Sequence, residues 1–248
     1  MKVLQILPQL NIGGVERGTL DLSKALIHKG HQSFVISGGG VLVDELTQCG
    51  AKHYEIPVHI KSLRTLSLAK RLSETISSID PDIVHVRSRM PAWVNYRAFK
   101  MLQKKPLLVS TFHGLYSFPI YSKVMSFVDH SIAISKTVER YILENYKLDK
   151  GDITVIPRGC DPLEFNNEVI NPVDKANIIE EFPQIVGKKV LTIPGRITKW
   201  KGVAEFIDLL SLLDNNYHGL IVGPTAKSKK KYLNKLQKKV SSLNLEDK

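Results

Sequence analysis

The sequence predicts an α/β protein built on parallel sheets. Short runs rich in β-branched residues recur along the chain and alternate with longer segments of helical periodicity. Strands that alternate with helices pair in parallel, because each helix carries the chain back across the sheet. With 248 residues, 43% of them hydrophobic, the chain can bury one large core or two modest ones, so we expect one or two domains.

The first domain is predicted to be complete and to span residues 1–160. Its expected strands are residues 2–7, 33–37, 53–57, 83–86, 107–112, 131–134 and 153–157. Its expected helices are residues 15–29, 63–79, 92–103 and 136–145. In the second of these helices Leu68, Leu72, Ile76 and Ile79 recur every three to four residues and share one face. Helices of this kind would cover both faces of a sheet.

The alternation of strands and helices breaks after residue 157. The following RGCDPLEFNNEVINPVD is rich in turn formers, and we predict a linker at residues 161–174 before a second domain at 175–248. That domain has expected helices at 175–181, 203–213 and 228–243 and strands at 190–193 and 219–222. Two strands leave an unpaired apolar sheet edge, so the second domain is expected to be incomplete.

Much of the net positive charge lies near the C-terminal end. The formal charge is +11, and residues 225–248 contribute +6 of it through eight Lys against two acidic residues. A solvated helix face is the favoured interpretation, and no nucleic-acid partner is expected. The alternative is an anionic membrane surface, bound by the Lys-rich helix between Lys229 and Lys239. Its apolar stripe would then be partly exposed; the stripe consists of Leu233, Leu236, Val240 and Leu243.

Cysteine usage and the N-terminal segment indicate the compartment. Cys49 and Cys160 are the two cysteines of the sequence, and their spacing fits neither a close disulfide pair nor a zinc site. We expect a reducing cytosol, no metal and no cofactor. The opening MKVLQILPQL is typical of a buried strand, with no signal peptide or membrane span evident. A cytoplasmic protein is therefore predicted, with peripheral attachment at the inner membrane face as the alternative.

A glycine pair precedes the first expected helix, in LPQLNIGGVERG. Gly13 and Gly14 would let backbone N–H groups approach a ligand closely, and the positive end of the helix dipole favours phosphate there. A tight turn without a ligand is the alternative. Glu16, in the first helical turn, either complements the helix dipole or binds an acceptor hydroxyl.

A cationic turn follows a strand of the second domain, in VLTIPGRITKWKG. Arg196 and Lys201 would lie at the carboxyl end of that strand, where open α/β sheets bind their ligands. Two cations near a helix N-terminus suit a nucleotide diphosphate, because Arg binds two oxygens in a fork and Lys supplies a compact charge. A solvated basic loop is the alternative.

Two more groups are expected at strand ends of the first domain. His113 follows a strand in LLVSTFHGLY, where it could hydrogen-bond a substrate or move a proton; a purely structural role is the alternative. In DIVHVRSRMPAW, strand alternation predicts a packing role for His85, while Arg87 and Arg89 could line a cleft.

Six segments, in this order, resemble the GT4 family of retaining glycosyltransferases. They are GGVERG, the pair Gly30 and His31, STFHG, AISKTVERYI, VIPRGCDPLEF and PGRITKWKG. The ordered set covers essentially the whole chain. The resemblance implies a GT-B fold, in which two Rossmann-like domains carry the acceptor mainly on the first and the nucleotide-sugar donor mainly on the second. No metal is required in that architecture.

The resemblance also implies roles for individual residues. Arg196 and Lys201 match the cations on the donor diphosphate, Gly14 matches the glycine whose N–H faces it, and His113 matches the histidine near the donor sugar. Cations and N–H groups suit this reaction because negative charge develops on the departing diphosphate.

The implied activity is transfer of a sugar from a nucleotide-diphosphate donor, with retention, to a cell-envelope polysaccharide, a lipopolysaccharide or a lipid-linked acceptor. The catalytic candidates are His113, Arg196 and Lys201. The acceptor-side candidates are Glu16 and Arg87.

The sequence departs from the family pattern at two places. Arg158-Gly159-Cys160-Asp161 stands where the family usually reads Asn-Gly-Val-Asp, which weakens the expected role of that loop. Family members also continue for roughly another small domain of ~100 residues, with a Glu-x7-Glu motif that contacts the donor. The resemblance therefore implies a truncated donor domain, with weak donor binding and little transfer by the chain alone.

Two other classes of function remain open at this point. One is a non-catalytic acceptor-binding module, or a split-enzyme component whose donor domain is completed by a second chain. The other, more distant, is a nucleotide-sugar epimerase of related architecture, which would turn over a sugar without an acceptor.

Overall fold

A computed structural model describes residues 1–60, 67–116, 119–163, 165–166, 171–225 and 230–248 of the chain. They form two compact units, Met1–Gly159 and Cys160–Lys248. Both units are built from parallel strands and helices, so the predicted α/β class is confirmed. Residues 63–66 of one expected helix and residues 228 and 229 of another lie outside the described residues, as do residues 164 and 167–170 of the expected linker.

The first unit contains a seven-stranded parallel sheet with strand order β3-β2-β1-β4-β5-β6-β7. The strands are β1 Lys2–Ile6, β2 Gln32–Ser37, β3 Lys52–Glu55, β4 Ile83–Val86, β5 Leu107–Phe112, β6 His130–Ala133 and β7 Ile153–Val155. Strand β1 pairs with β2 on one side and β4 on the other, with Gln5 opposite Val35 and His85. The chain therefore reverses its winding between β1 and β4, and open sheets bind ligands at the carboxyl end of such a reversal.

Helices cover both faces of this sheet. They are α1 Gly14–His28, α2 Val43–Gln48, α3 Ala69–Ile79, α4 Arg89–Phe99, the short α5 Pro119–Ser122 and α6 Lys136–Asn145. Strand alternation sends Leu4 and Ile6 into the larger apolar cluster, with Leu72 of α3, and sends Leu7 into a second cluster with Leu20 of α1. The sheet thus holds the C-terminal ends of its strands rigidly between two packed layers.

The second unit is smaller. Strands β8 Lys189–Pro194 and β9 Tyr217–Val222 pair in parallel, and its helices are α7 Pro172–Glu181, α8 Val203–Leu212 and α9 Lys230–Ser242. The expected linker at residues 161–174 falls inside this unit, and α7 begins within it.

The apolar stripe of α9 packs partly against α8. Leu236 is buried, and Leu233 and Val240 pack against the same cluster, which includes Ile207 of α8. Only Leu243 of the stripe is exposed, at 36%. The stripe is therefore partly exposed, as expected: α8 buries Leu236, while Leu233 and Val240 are half-buried and Leu243 is exposed. Within the described residues, no helix combines the length and apolar character needed to cross a bilayer.

Candidate functional site

A cavity of about 260 Å³ lies in the first unit, at the carboxyl edge of its sheet. Its wall on one side is helix α1, and on the other it is formed by residues near the carboxyl ends of β4, β5, β6 and β7. The polar groups that line it include Asp21, His85, Arg87, Thr111, His113 and Arg158. These residues lie far apart in the sequence. They meet here because parallel strands bring their carboxyl ends to one edge of the sheet.

Arg87 is held by a buried hydrogen-bond network. The residue follows β4 directly, is 6% exposed, and donates from Nη1 to Oε1 of Gln5 at 2.7 Å. Gln5 is fixed in turn because its Nε2 donates to Oγ of Ser23 at 2.9 Å and to the carbonyl of Thr19 at 3.1 Å. Burial, and next the positive charge of Arg158, lower the pKa of Arg87 to about 10. Arg87 therefore stays charged at neutral pH and has one fixed orientation.

His113 follows β5, and both of its ring nitrogens are enclosed and have no hydrogen-bond partner within the described part of the chain. Burial lowers its pKa to about 3, with further contributions from Arg87 and Arg158. The imidazole is therefore neutral at physiological pH. A neutral ring can donate one hydrogen bond and accept another, which matches a substrate hydroxyl better than a carboxylate.

His85 combines the packing role predicted for it with a place in the cavity wall. It is 5% exposed, and its Nε2 lies 2.7 Å from Oγ1 of Thr111. Burial lowers its pKa well below the usual value, followed by the charge of Arg87. Because His85 and Arg87 are two positions apart at the end of β4, they face the same side of the sheet.

Arg158 was expected to weaken any role of its loop, yet it lines the cavity. Its guanidinium lies directly on the backbone of helix α1 at Gly18, where an added Cβ would be 2.2 Å from Nη2. Glycine inside a helix costs up to about 1 kcal/mol relative to alanine. This isolated glycine is the sequence signal that could have indicated a close contact in the middle of α1.

The glycine pair has no conformational need for glycine. Gly13 is extended, with φ 177° and ψ 166°, and Gly14 is the first residue of α1. A Cβ added at Gly14 would meet nothing within 4 Å, whereas one at Gly13 would meet the Glu16 carboxylate at 2.4 Å. The backbone therefore does not explain Gly14 as a tight turn. Glu16 lies against Gly13 and is not part of the described cavity wall.

The cationic turn belongs to the second unit, and backbone hydrogen bonds hold it to the end of β9 and the segment that follows. The N–H of Gly195 donates to the carbonyl of Val222 at 2.8 Å, and that of Ile197 to the carbonyl of Pro224 at 3.1 Å. Ile197 is buried, while Arg196 and Lys201 on either side are exposed. Gly202, with φ 76°, then caps helix α8. The turn thus holds two solvated cations at the carboxyl end of β8 and near the N-terminus of α8.

The structure therefore divides the predicted site residues between the two units. Arg87 and His113 meet in the cavity of the first unit, and Gly13 and Gly14 begin its helix α1. The second unit carries Arg196 and Lys201. A common diphosphate site formed by both sets stays a prediction.

The sequence profile of Glycosyltransferase Family 4 matches residues 12–163, which include all the cavity residues named above. The chain belongs to Glycosyltransferase Family 4. A glycosyltransferase of known crystal structure from Rickettsia africae ESF-5 is 33% identical, with a TM-score of 0.83 and coverage of 98% of this chain and 65% of that one. This similarity confirms the GT-B-like fold class predicted from the sequence.

Two curated relatives are similar in sequence to part of this chain. An uncharacterized glycosyltransferase, MJ1069 of Methanocaldococcus jannaschii, is 32% identical over 55% of this chain and 38% of its own length. A component of the human phosphatidylinositol N-acetylglucosaminyltransferase is 25% identical over 68% of this chain and 38% of its own length. The match thus spans 38% of the length of either relative.

Proposed function

We propose that this family 4 protein transfers a glycosyl group from a nucleotide-diphosphate sugar to a cell-envelope polysaccharide, a lipopolysaccharide or a lipid-linked acceptor, with retention of the anomeric configuration. Family membership supports the class of reaction. The observation that carries the proposal is the cationic turn, which presents Arg196 and Lys201 beside the N-terminus of α8. This is where an α/β sheet offers the most favourable electrostatic environment for a diphosphate.

In this reaction the two cations of the turn and the ring of His113 have separate tasks. In the transfer, the bond between C1 of the sugar and the diphosphate oxygen breaks, and its electron pair stays on the diphosphate. The acceptor hydroxyl oxygen bonds to C1, and its proton passes to an oxygen of the departing diphosphate. Arg196 and Lys201 stabilise the charge that develops on the leaving group. The neutral ring of His113 hydrogen-bonds a sugar hydroxyl, because its two nitrogens are otherwise unpartnered among the described residues.

A lipid-linked acceptor at an anionic membrane is supported by two features. The name of the human relative includes phosphatidylinositol, an anionic lipid. In the second unit, α9 presents exposed lysines, among them Lys231, Lys235 and Lys238. Because most of the apolar stripe of α9 packs against the cluster that includes α8, we expect this attraction to be mainly electrostatic and to weaken as salt is raised.

The donor site is tested by calorimetric titration of the purified chain with UDP, GDP and ADP, followed by a transfer assay with the corresponding nucleotide sugars. We expect one nucleoside diphosphate to bind preferentially and Lys201→Ala to weaken it by about 1 to 3 kcal/mol, the contribution of a charged hydrogen bond. Lys199→Ala is the matched control, since Lys199 is an exposed lysine of the same turn.

The outcomes separate the alternatives. Equal affinities of Lys201→Ala and Lys199→Ala would remove the cationic turn from the donor site. Consumption of a nucleotide sugar without an acceptor would favour an epimerase over a transferase. Sugar binding without nucleoside diphosphate binding would favour a non-catalytic acceptor module.

A further inference from the structure

The cavity of the first unit holds two arginines without a carboxylate partner among the described residues. Arg87, 6% exposed, leaves its Nε without a hydrogen-bond partner there. Arg158 makes neither a hydrogen bond nor an ion pair within the described ranges. Buried arginines are almost always paired, because an uncompensated charge is costly to desolvate. Arg87 is buried and Arg158 is exposed, so this desolvation cost applies to Arg87, and the unpaired Arg158 guanidinium on the same cavity adds a second positive charge. The two together indicate an anionic ligand.

The neighbouring acidic groups do not cancel this charge. Asp21 lines the same cavity, but its Oδ1 lies 3.6 Å from Nε of Arg17, which also pairs with Glu45. The two histidines of the wall, His85 and His113, add no charge at neutral pH because burial keeps them deprotonated. The cavity wall thus carries two positive charges against the one carboxylate of Asp21. Asp21 and nearby Glu16 favour the charged form of Arg87, but burial and Arg158 outweigh them and keep its pKa lowered.

Helix α1 is shaped to receive one of these arginines. The missing side chain of Gly18 leaves the space in which the Arg158 guanidinium lies, since any Cβ there would overlap Nη2 at 2.2 Å. On the other side, Gln5 fixes Arg87 through a network that reaches Ser23 and Thr19 of the same helix. Different contacts hold the two guanidinium groups in place, and each planar group can donate paired hydrogen bonds to the oxygens of a carboxylate or a phosphate.

We propose that Arg87 and Arg158 bind an oxyanion, a carboxylate or a phosphate, carried by the acceptor substrate, while His113 contacts the sugar beside it. This inference rests on the proposed transferase function and specifies its acceptor as an anionic one. The size of the cavity favours the acceptor over the donor. About 260 Å³ is below the usual range for a drug-sized ligand and suits one sugar ring or a small head group rather than a whole nucleotide sugar.

The proposal is tested by calorimetric titration with four probes: glucose, glucuronate, glucose 6-phosphate and UDP. We expect glucuronate and glucose 6-phosphate to bind at least tenfold more tightly than glucose. Arg158→Gln should remove that advantage, at least tenfold in affinity, and leave UDP affinity within twofold of the wild type. Arg140→Gln is the matched control, because Arg140 is an exposed arginine of α6 outside the cavity wall.

A second variant keeps the test independent of folding defects. Gly18→Ala should keep or raise the melting temperature, since alanine favours a helix, but its Cβ displaces the Arg158 guanidinium. We expect it to weaken glucose 6-phosphate binding as Arg158→Gln does.

Vesicles of phosphatidylcholine with and without phosphatidylglycerol then distinguish whether the oxyanion belongs to a sugar or to a lipid. If Arg158→Gln lowers phosphatidylglycerol binding more than Arg140→Gln, the oxyanion belongs to a lipid head group.

Three results would overturn the proposal. In the first, glucuronate, glucose 6-phosphate and phosphatidylglycerol vesicles bind no better than their neutral counterparts. In the second, they bind better, but Arg158→Gln and Gly18→Ala bind them as the wild type does. In the third, Arg158→Gln weakens UDP as much as Lys201→Ala, so that the anion is the donor diphosphate. Failure of the transferase function is a separate result, in which no nucleoside diphosphate binds although the anionic sugars still do.

Discussion

The cavity of the first unit and the cationic turn of the second differ in how they hold their positive charges. In the first unit Arg87 is buried and held by Gln5, and the exposed Arg158 rests on the backbone of Gly18. In the second unit Arg196 and Lys201 are exposed, and only the backbone between them is fastened. A buried, oriented guanidinium discriminates ligands by geometry, whereas an exposed pair attracts any phosphate and is screened by salt. We therefore expect specificity from the first unit and diphosphate attraction from the second.

The two units also differ in how deeply their strands and helices are buried. The seven-stranded sheet of the first unit has helices on both faces, and its strands β1, β2, β4 and β5 are mostly buried. Strand β8 of the second unit has no fully buried residue, and large apolar side chains such as Leu212 and Val222 are exposed. A small sheet with little burial gains less from the hydrophobic effect, so equal truncations should differ greatly in cost.

The largest expected effect is on the core of the first unit. Leu72→Ala in α3 should lower the free energy of unfolding by about 2 to 5 kcal/mol, because the side chain is 0% exposed and its loss leaves a cavity. The same substitution at Leu212 in α8, which is 82% exposed, should change it by less than about 0.5 kcal/mol. Urea titration followed by circular dichroism measures both. Similar losses at the two positions would mean that the contrast in packing is wrong.

The next effect concerns the group that orients Arg87. Gln5→Met keeps the volume of a 0% exposed side chain but leaves Arg87 Nη1, Ser23 Oγ and the Thr19 carbonyl with fewer partners. We expect a loss of about 1 to 3 kcal/mol in the free energy of unfolding, the cost of an unsatisfied buried polar group. Lys201→Met, at an exposed cation, is the control and should stay within about 0.5 kcal/mol. A neutral result for Gln5→Met would show that Arg87 needs no support.

The strands and the layer order of the first unit follow from local pattern, which is why the sequence predicts them. Each of its seven strands overlaps an expected run, since β-branched residues and flanking turn formers are local signals. Helix α2, of six residues, was missed because it is too short to show periodicity.

At the site, His113 and Arg87 were predicted from their place at strand ends. The contact of Arg158 with Gly18 joins residues 140 positions apart, and no local pattern encodes it.

An effect of a different kind, spread over several pH units, concerns His113. Its pKa is lowered to about 3 in the folded chain, whereas the unfolded chain protonates this ring near pH 6.5. Between these values the unfolded state binds more protons, so the free energy of unfolding falls as pH is lowered, by up to about 1.4 kcal/mol per pH unit. His113→Gln should flatten that slope between pH 6 and 4, as measured by urea titration at each pH. An unchanged slope would mean that His113 is solvated and free to titrate.

The smallest effect tests whether Gly14 serves the fold or a ligand. A Cβ there meets nothing within 4 Å and the backbone is helical, so Gly14→Ala should leave the free energy of unfolding within about 0.5 kcal/mol. Gly30→Ala is the control: it also has open space, but its φ of 76° is unfavourable for alanine, at a cost of about 1 to 2 kcal/mol. If a phosphate lies on the N-terminus of α1, Gly14→Ala weakens UDP binding and Gly30→Ala does not. Unchanged UDP affinity in both would assign Gly14 to neither role and leave diphosphate binding to the second unit alone.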